Sequence, residues 1–314
     1  MKNAIRSHMR KSLLISHIWN WVWSHLFFRQ WIILAAPEIC DKRPFWDNFT
    51  PIFPPPDRFW ADPFIWVHKD KHFIFVEEFL YETNRGHIAC LCLDRQLNLT
   101  SNCVALERPY HLSYPFLFEY ENQLYMLPET KENCTIELYQ CVSFPSEWTL
   151  TSTLKTNISA VDSTLLEANG KWWLFTLVAD TKEYGLEALY LYYADQPISS
   201  QWTSHPQNPI VKDNNFTRPA GQIFIQNGNL IRPSQDCSFH YGHAINFCRI
   251  TSLTESNYEE VHSWTITPPK KANILGAHTW NESAGLHVTD ALLFWWKLRN
   301  HKKSIHPQWH SFGW

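Results

Sequence analysis

One pattern recurs five times along the chain: a short polar or Pro-containing start, an apolar run, a tight turn and a second apolar run. It first reads Ala61-Asp62-Pro63-Phe64-Ile65-Trp66-Val67, a Lys-Asp-Lys turn, then Phe73-Ile74-Phe75-Val76-Glu77-Glu78. It returns as Ser113-Tyr114-Pro115-Phe116-Leu117-Phe118 with Leu124-Tyr125-Met126-Leu127-Pro128-Glu129, and as Val161-Asp162-Ser163-Thr164-Leu165-Leu166 with Trp172-Trp173-Leu174-Phe175-Thr176. The fourth copy pairs Arg218-Pro219-Ala220-Gly221-Gln222-Ile223-Phe224 with Leu230-Ile231-Arg232. A weaker fifth pairs Ala277-His278-Thr279-Trp280 with Gly285-Leu286-His287-Val288-Thr289. The matching positions Asp62, Tyr114, Asp162, Arg218 and His278 lie about 50 to 60 residues apart, the period of four-stranded propeller blades. Asn169-Gly170 and Asn227-Gly228, each between apolar runs, are strong hairpin signals at the same point of two copies. Further strands are expected at 88–93, 136–139 and 189–193, and no long amphipathic helix follows residue 36. The pattern predicts an all-β, five-bladed β-propeller. Its ring is expected to close by pairing the strand 31–35 with the last blade.

The expected division is an N-terminal arm over 1–30 and one propeller over 31–314. Leu14, Ile18, Trp21 and Val22 share a helical face, so the arm reads as a short helix packed on the body. Contact with a membrane surface is the lesser alternative. His17, Asn20, His25, Arg29 and Gln30 interrupt the apolar stretch, which makes it a poor membrane span, and no convincing signal-peptide cleavage site follows. The eight cysteines include no C-x-x-C, which argues against a zinc ribbon or a thioredoxin-type site and suits a reducing compartment. A cytoplasmic location, peripheral to a membrane if the arm touches one, is the resulting expectation. A net charge of −3 leaves no nucleic-acid footprint. The 17 Trp, 12 Tyr and 20 Phe suit strands and a packed core, and a flat indole also suits the apolar face of a sugar ring.

In a propeller the inner strands of all blades converge on one axis, so residues at matching positions become neighbours. Asp62, Tyr114, Asp162, Arg218 and His278 are therefore expected to line one mouth, with Glu78, Glu129 and Asp236 close by. Two carboxylates in one cleft suit glycosidic chemistry, which needs one ionised group and one that holds a proton. Asp62, Asp162 and Glu129 are the candidate catalytic residues. The plainer alternative is that each Asp caps a local turn. Arg218 is either a charge partner for a carboxylate or a ligand for a phosphate or acidic sugar. His278 is either an acid/base or a hydrogen-bonded structural residue. No spacing signature points to a metal, and no cofactor is expected.

The motifs Phe59-Trp60-Ala61-Asp62-Pro63-Phe64, His111-Leu112-Ser113-Tyr114-Pro115-Phe116, Met126-Leu127-Pro128-Glu129-Thr130, Val161-Asp162-Ser163-Thr164-Leu165, Arg218-Pro219-Ala220-Gly221 and Arg232-Pro233-Ser234-Gln235-Asp236 carry a resemblance over residues 30 to 290. Together the chain resembles the N-terminal domain of plant glucosamine inositolphosphorylceramide transferases and its stand-alone bacterial relatives. More distantly it is similar to the five-bladed propeller glycosidases: arabinanases, β-xylosidases and invertases. That likeness implies a base or nucleophile at Asp62 and a sugar-orienting, pKa-tuning carboxylate at Asp162. Arg218 stands where those enzymes keep a general-acid Glu, so a proton would have to come from Glu129, Glu78 or Asp236. The motifs add Trp60, His111 and Arg232 to Tyr114, Arg218, Asp236 and His278 as candidate substrate-binding residues. The expected function is a carbohydrate-active protein, hydrolase or transferase in type, working on a glycosidic or activated sugar in glycan or glycolipid metabolism. The alternative is a non-catalytic glycan-binding module. The expected partners are a sugar or glycan substrate, which an anionic group would suit, and a glycosyltransferase, the domain that follows in the plant proteins.

Overall fold

The computed structural model describes residues 27–37, 46–179, 187–269, 273–283 and 285–296. They form five antiparallel sheets of four or five strands, arranged as the blades of a propeller. Blade 1 runs through Arg58–His68, Lys71–Leu80, Arg85–Leu93 and Leu99–Leu106. Blade 2 comprises Ser113–Tyr120, Gln123–Thr130, Thr135–Ser143 and Glu147–Thr156. Blade 3 comprises Ala160–Ala168, Lys171–Ala179, Glu187–Ala194 and Thr203–Ser204. Blade 4 comprises Phe224–Gln226, Asn229–Asp236, Ala244–Leu253 and Tyr258–Ile266. Its start at 218–221 is held by bridges to the second strand instead of a full ladder, because Pro219 has no N–H to donate.

Blade 5 closes the ring with the N-terminal part of the chain. The strand Phe27–Pro37 lies between Leu286–Trp296 and Thr50–Ile52, and it pairs with Leu286–Trp296 along its whole length. The strand expected at 31–35 is therefore present, longer at both ends. Residues 27–30, assigned above to a helical arm, are already extended, and the rest of that arm lies outside the described residues. Helix among the described residues is confined to the short 3-10 turns Trp46–Asn48 and Lys131–Asn133, and no described helix is long and apolar enough to cross a membrane.

The four first-to-second-strand hairpins of blades 1 to 4 share one turn geometry. Lys69-Asp70, Glu121-Asn122, Asn169-Gly170 and Asn227-Gly228 all have positive φ at both central residues, the geometry that follows strand twist. The core lies between the blades, where aromatic side chains from adjacent sheets meet. Phe64 meets Phe116 at 5.8 Å, Phe118 meets Trp172 at 5.4 Å, Phe175 meets Tyr258 at 5.9 Å, and Phe247 meets Trp280 at 6.2 Å. Each contact adds about 0.5–1.5 kcal/mol to the area it buries. Between blades 5 and 1 the filling is aliphatic, with Ile33, Val288, Ile65 and Val76 in one cluster.

Candidate functional site

The first strands of blades 1, 2 and 3 each carry a bulge at the same point. The pairing slips between Ala61 and Phe64, between Ser113 and Phe116, and between Val161 and Thr164. Inside each slip one residue takes left-handed backbone: Asp62 (φ 51°), Tyr114 (φ 45°) and Asp162 (φ 49°). A bulge bends the strand and re-aims the side chain of its extra residue. A non-glycine residue there costs on the order of 1–3 kcal/mol, which the surrounding packing must offset. In blade 4 the chain makes its close approach at Gly221 (φ 132°), where a Cβ would lie 1.9 Å from the Trp280 carbonyl oxygen.

Buried carboxyls hold two of these bulges in place. Asp290, in the second strand of blade 5, accepts from the Asp62 N–H at 3.1 Å and from the His278 and Thr279 N–H groups at 2.8 and 3.2 Å. Glu129, in the second strand of blade 2, does the same for Asp162, accepting its N–H at 3.2 Å. The Asp62 carboxyl accepts from the Thr279 hydroxyl at 2.6 Å and lies 3.6 Å from His278 Nε2. The Asp162 carboxyl accepts from Arg218 Nε at 2.5 Å and from Gln235 Nε2 at 3.2 Å. The Tyr241 ring covers the Arg218 guanidinium at 5.0 Å and meets His278 edge-on.

The ring thus gathers Asp62, Glu77, Glu129, Asp162 and Asp290 around Arg218 and His278. Burial pushes the Asp62 carboxyl up to about 6; Asp162 and Asp290 add to that, against His278 and the Thr279 hydroxyl. Burial and the Asp162 charge push Glu129 to about 8, against Arg218. Glu77 is held well above the usual carboxylate range by burial and by Asp62, Glu129 and Asp162. Burial lowers His278, but Asp290 and Asp62 outweigh it and raise its pKa. Burial and mutual repulsion thus raise three neighbouring carboxyls, Asp62, Glu77 and Glu129, above the ordinary carboxylate range. Asp62, His278 and Asp290 each offer a ligand atom within 4.8 Å of one another, so these three could hold a cation. Thr279 and main-chain N–H groups already engage the same oxygens.

The structure brings Asp62, Glu129, Asp162, Arg218 and His278 together. Tyr114 lies beneath the mouth, fully buried, with its hydroxyl bonded to Thr164 and to both the N–H and the carbonyl of Gly221. His111 reaches the ring edge, with Nε2 3.3 Å from Glu77 Oε1. Trp60 is in the core, with its indole N–H on Glu78, and Glu78 in turn bonds Arg58 and His87. Arg232 is buried in blade 4 against Glu260 and the Phe216 carbonyl oxygen. Asp236 accepts from the Ser238 N–H in the turn that follows its strand. Sequence reasoning missed Glu77, Gln235, Tyr241 and Asp290. Glu77 stands opposite Ala61 as Glu129 stands opposite Ser113, so matching the second strands of blades 1 and 2 position by position was the signal that points to Glu77 in place of Glu78. Asp290 did leave a signal, a carboxylate inside the apolar run 286–296, where an unpaired charge is costly.

Residues 52–293 match the family described as glucosamine inositolphosphorylceramide transferase 1, N-terminal. A relative of that name from Oryza sativa subsp. japonica is 37% identical over 240 residues, covering 74% of this chain and 31% of the relative. The Arabidopsis thaliana protein of the same name is 32% identical over 232 residues, covering 72% of this chain and 29% of its own. The chain thus spans about a third of the length of the curated relatives it matches. Among solved structures, the catalytic domain of a Coprinopsis cinerea GH62 α-L-arabinofuranosidase superposes with a TM-score of 0.55 at 10% identity, covering 83% of this chain and 97% of that one. Zg3597, a family 117 glycoside hydrolase from Zobellia galactanivorans, gives 0.53 at 12% identity, covering 84% and 90%. At such identities the likeness is one of fold.

Proposed function

From a chain that belongs to the glucosamine inositolphosphorylceramide transferase 1 N-terminal family, we propose a carbohydrate-active protein whose substrate sits at the propeller axis. The observation that carries this reading is geometric: the bulged strands bring the buried carboxyls of Asp62, Asp162 and Glu129 together beside Arg218 and His278, and burial pushes Asp62 up to about 6 and Glu129 up to about 8. Cleaving or forming a bond at an anomeric carbon needs such a pair, one group to attack or to activate a nucleophile and one to protonate the leaving oxygen. Asp62 takes the first role. Asp162, fixed by Arg218 and Gln235, orients the sugar. The proton comes from one of the two carboxyls that burial holds above the ordinary range, Glu129 or Glu77.

Arg218 adds selectivity. Among the described residues it hydrogen-bonds through Nε, and its side chain is 24% exposed. Guanidinium has five N–H donors, so the remaining ones suit a phosphate or carboxylate carried by the sugar. A second reading, a glycan-binding module serving a glycosyltransferase, is supported by Arg218, which at the fourth-blade position engages the Asp162 carboxylate.

The test is turnover of a panel of aryl glycosides and sugar-nucleotide donors by the wild type and by Asp62→Asn. The expected loss is about 10²–10⁴-fold, with no fall in melting temperature. Full activity in Asp62→Asn ends its assignment. Calorimetric binding of glycans with no turnover across the panel selects the binding module.

A further inference from the structure

Glu77 and His111 meet at the ring edge in an arrangement that one small residue makes possible. The Gly86 N–H donates to His111 Nδ1 at 2.9 Å, so that nitrogen carries no proton and the ring's proton sits on Nε2. Nε2 lies 3.3 Å from Glu77 Oε1. The backbone on either side is pinned: Leu112 N–H donates to the Gly86 carbonyl oxygen at 3.0 Å, and His111 N–H donates to Glu132 Oε2 at 2.6 Å. A Cβ on residue 86 would stand 2.7 Å from His111 Cε1 and 3.0 Å from Glu77 Oε1, so only glycine leaves room for the pair. Burial lowers the His111 pKa, against the Glu132 charge, and keeps the ring neutral at pH 7.

The groups facing Glu77 are Asp62, Glu129 and Asp162, with Arg218 the opposing charge. Glu78, the next residue, points away to Trp60, Arg58 and His87. Glu129 spends an oxygen on the Asp162 N–H and so maintains a bulge, whereas Glu77 is oriented by a side chain at the rim.

We propose that Glu77 is the carboxyl that protonates the leaving oxygen of the sugar, and that His111, locked by Gly86, is the positioning residue that aims it. The proposal rests on the sugar-handling reading above. His111 Nε2–H faces Oε1 at 3.3 Å, which places the acid's own proton on Oε2. That proton passes to the leaving oxygen as the bond to the anomeric carbon breaks and its electron pair stays with the oxygen. A water gives the carbon its new electron pair and its proton to Asp62, or Asp62 attacks and water then hydrolyses the glycosyl ester so formed, restoring the Asp62 carboxylate. Glu77 is left as a carboxylate facing the His111 donor and regains a proton from water once product departs.

The experiment compares alkyl and 2,4-dinitrophenyl glycosides of whichever sugar the wild type turns over. Glu77→Gln is expected to lose about 10²–10⁴-fold on the alkyl glycoside and under about tenfold on the dinitrophenyl one, which needs little protonation. Equal losses on both, or a leaving-group dependence found in Glu129→Gln instead, overturn the assignment. In ¹⁵N ring spectra of the full chain, His111 is expected to be the neutral Nε2–H tautomer at pH 7 to 8, to titrate below the ordinary histidine range, and to shift in Glu77→Gln. A His111 signal that titrates normally and ignores Glu77→Gln overturns the positioning role even where turnover persists. No turnover of any glycoside or sugar-nucleotide donor by the wild type rules out the enzymatic reading, and the proton-donor role with it, while the spectra still judge the pair.

Discussion

Glu129 shows what a cluster of buried carboxyls costs at the level of one residue. Its carboxyl releases a proton near its ordinary value of 4.5 when the chain is unfolded, but holds it to about 8 in the ring. Between those values the folded state binds more protons than the unfolded one, so stability falls as pH rises through the window. Glu129→Gln keeps the shape and an acceptor for the Asp162 N–H while removing the titration. At pH 5 the variant should melt close to the wild type. At pH 8 it should be more stable, on the order of 2 kcal/mol once mutual repulsion within the ring is allowed for. A pH series of melting temperatures checks this, and a variant that loses stability equally at both pH values contradicts the protonation assigned to Glu129. The same logic runs through Asp62 in a lower window, from 3.8 to about 6. The positive φ of Asp62, Tyr114 and Asp162 is a second local cost, offset by the carboxyl and hydroxyl contacts that surround them.

At the scale of the strand and its turn, the hairpins separate what a motif announces from what a blade imposes. Asn169-Gly170 and Asn227-Gly228 favour the observed turn on their own, since both residues tolerate left-handed backbone. Lys69-Asp70 and Glu121-Asn122 take the same geometry against the preference of Lys and Glu, because the flanking strands are already held in register by the sheet. Replacing Glu121-Asn122 by Asn-Gly should therefore stabilise blade 2 by about 0.5–1 kcal/mol, read as a higher melting temperature with no change in any sugar-dependent signal. A neutral or destabilising result contradicts strain at that turn. The bulges follow the opposite logic. Nothing in Ala61-Asp62-Pro63, Ser113-Tyr114-Pro115 or Val161-Asp162-Ser163 names a bulge in isolation; only recurrence at one blade position does.

Across the whole molecule, stability depends on a closure between distant parts of the chain. Ile32, Ile33, Leu34, Ala35 and Ala36 are fully buried in a strand with a neighbour on each side, so removing it opens blade 5 and exposes two edges. Deleting 31–36 should abolish cooperative unfolding of the ring, and a truncated chain that melts like the full one contradicts this closure. The five blades, the closing strand and the mouth positions of Asp62, Asp162, Arg218 and His278 were legible in the sequence, because each rests on periodicity and turn chemistry that act locally and repeat. The partners of those residues were not. Glu77 reaches His111 while Glu78 turns to Trp60, Arg58 and His87, a division that alternation along one strand leaves open until the neighbouring blades are in place. Asp290 serves Asp62 from the far end of the chain because the ring closes. Trp60 and Arg232, candidates by motif, are consumed by buried bonds to Glu78 and Glu260. The five-fold repeat thus determined the scaffold and where its chemistry would gather. Which carboxyls hold protons was decided only in three dimensions, since burial and mutual repulsion arise from neighbours that closure brings together.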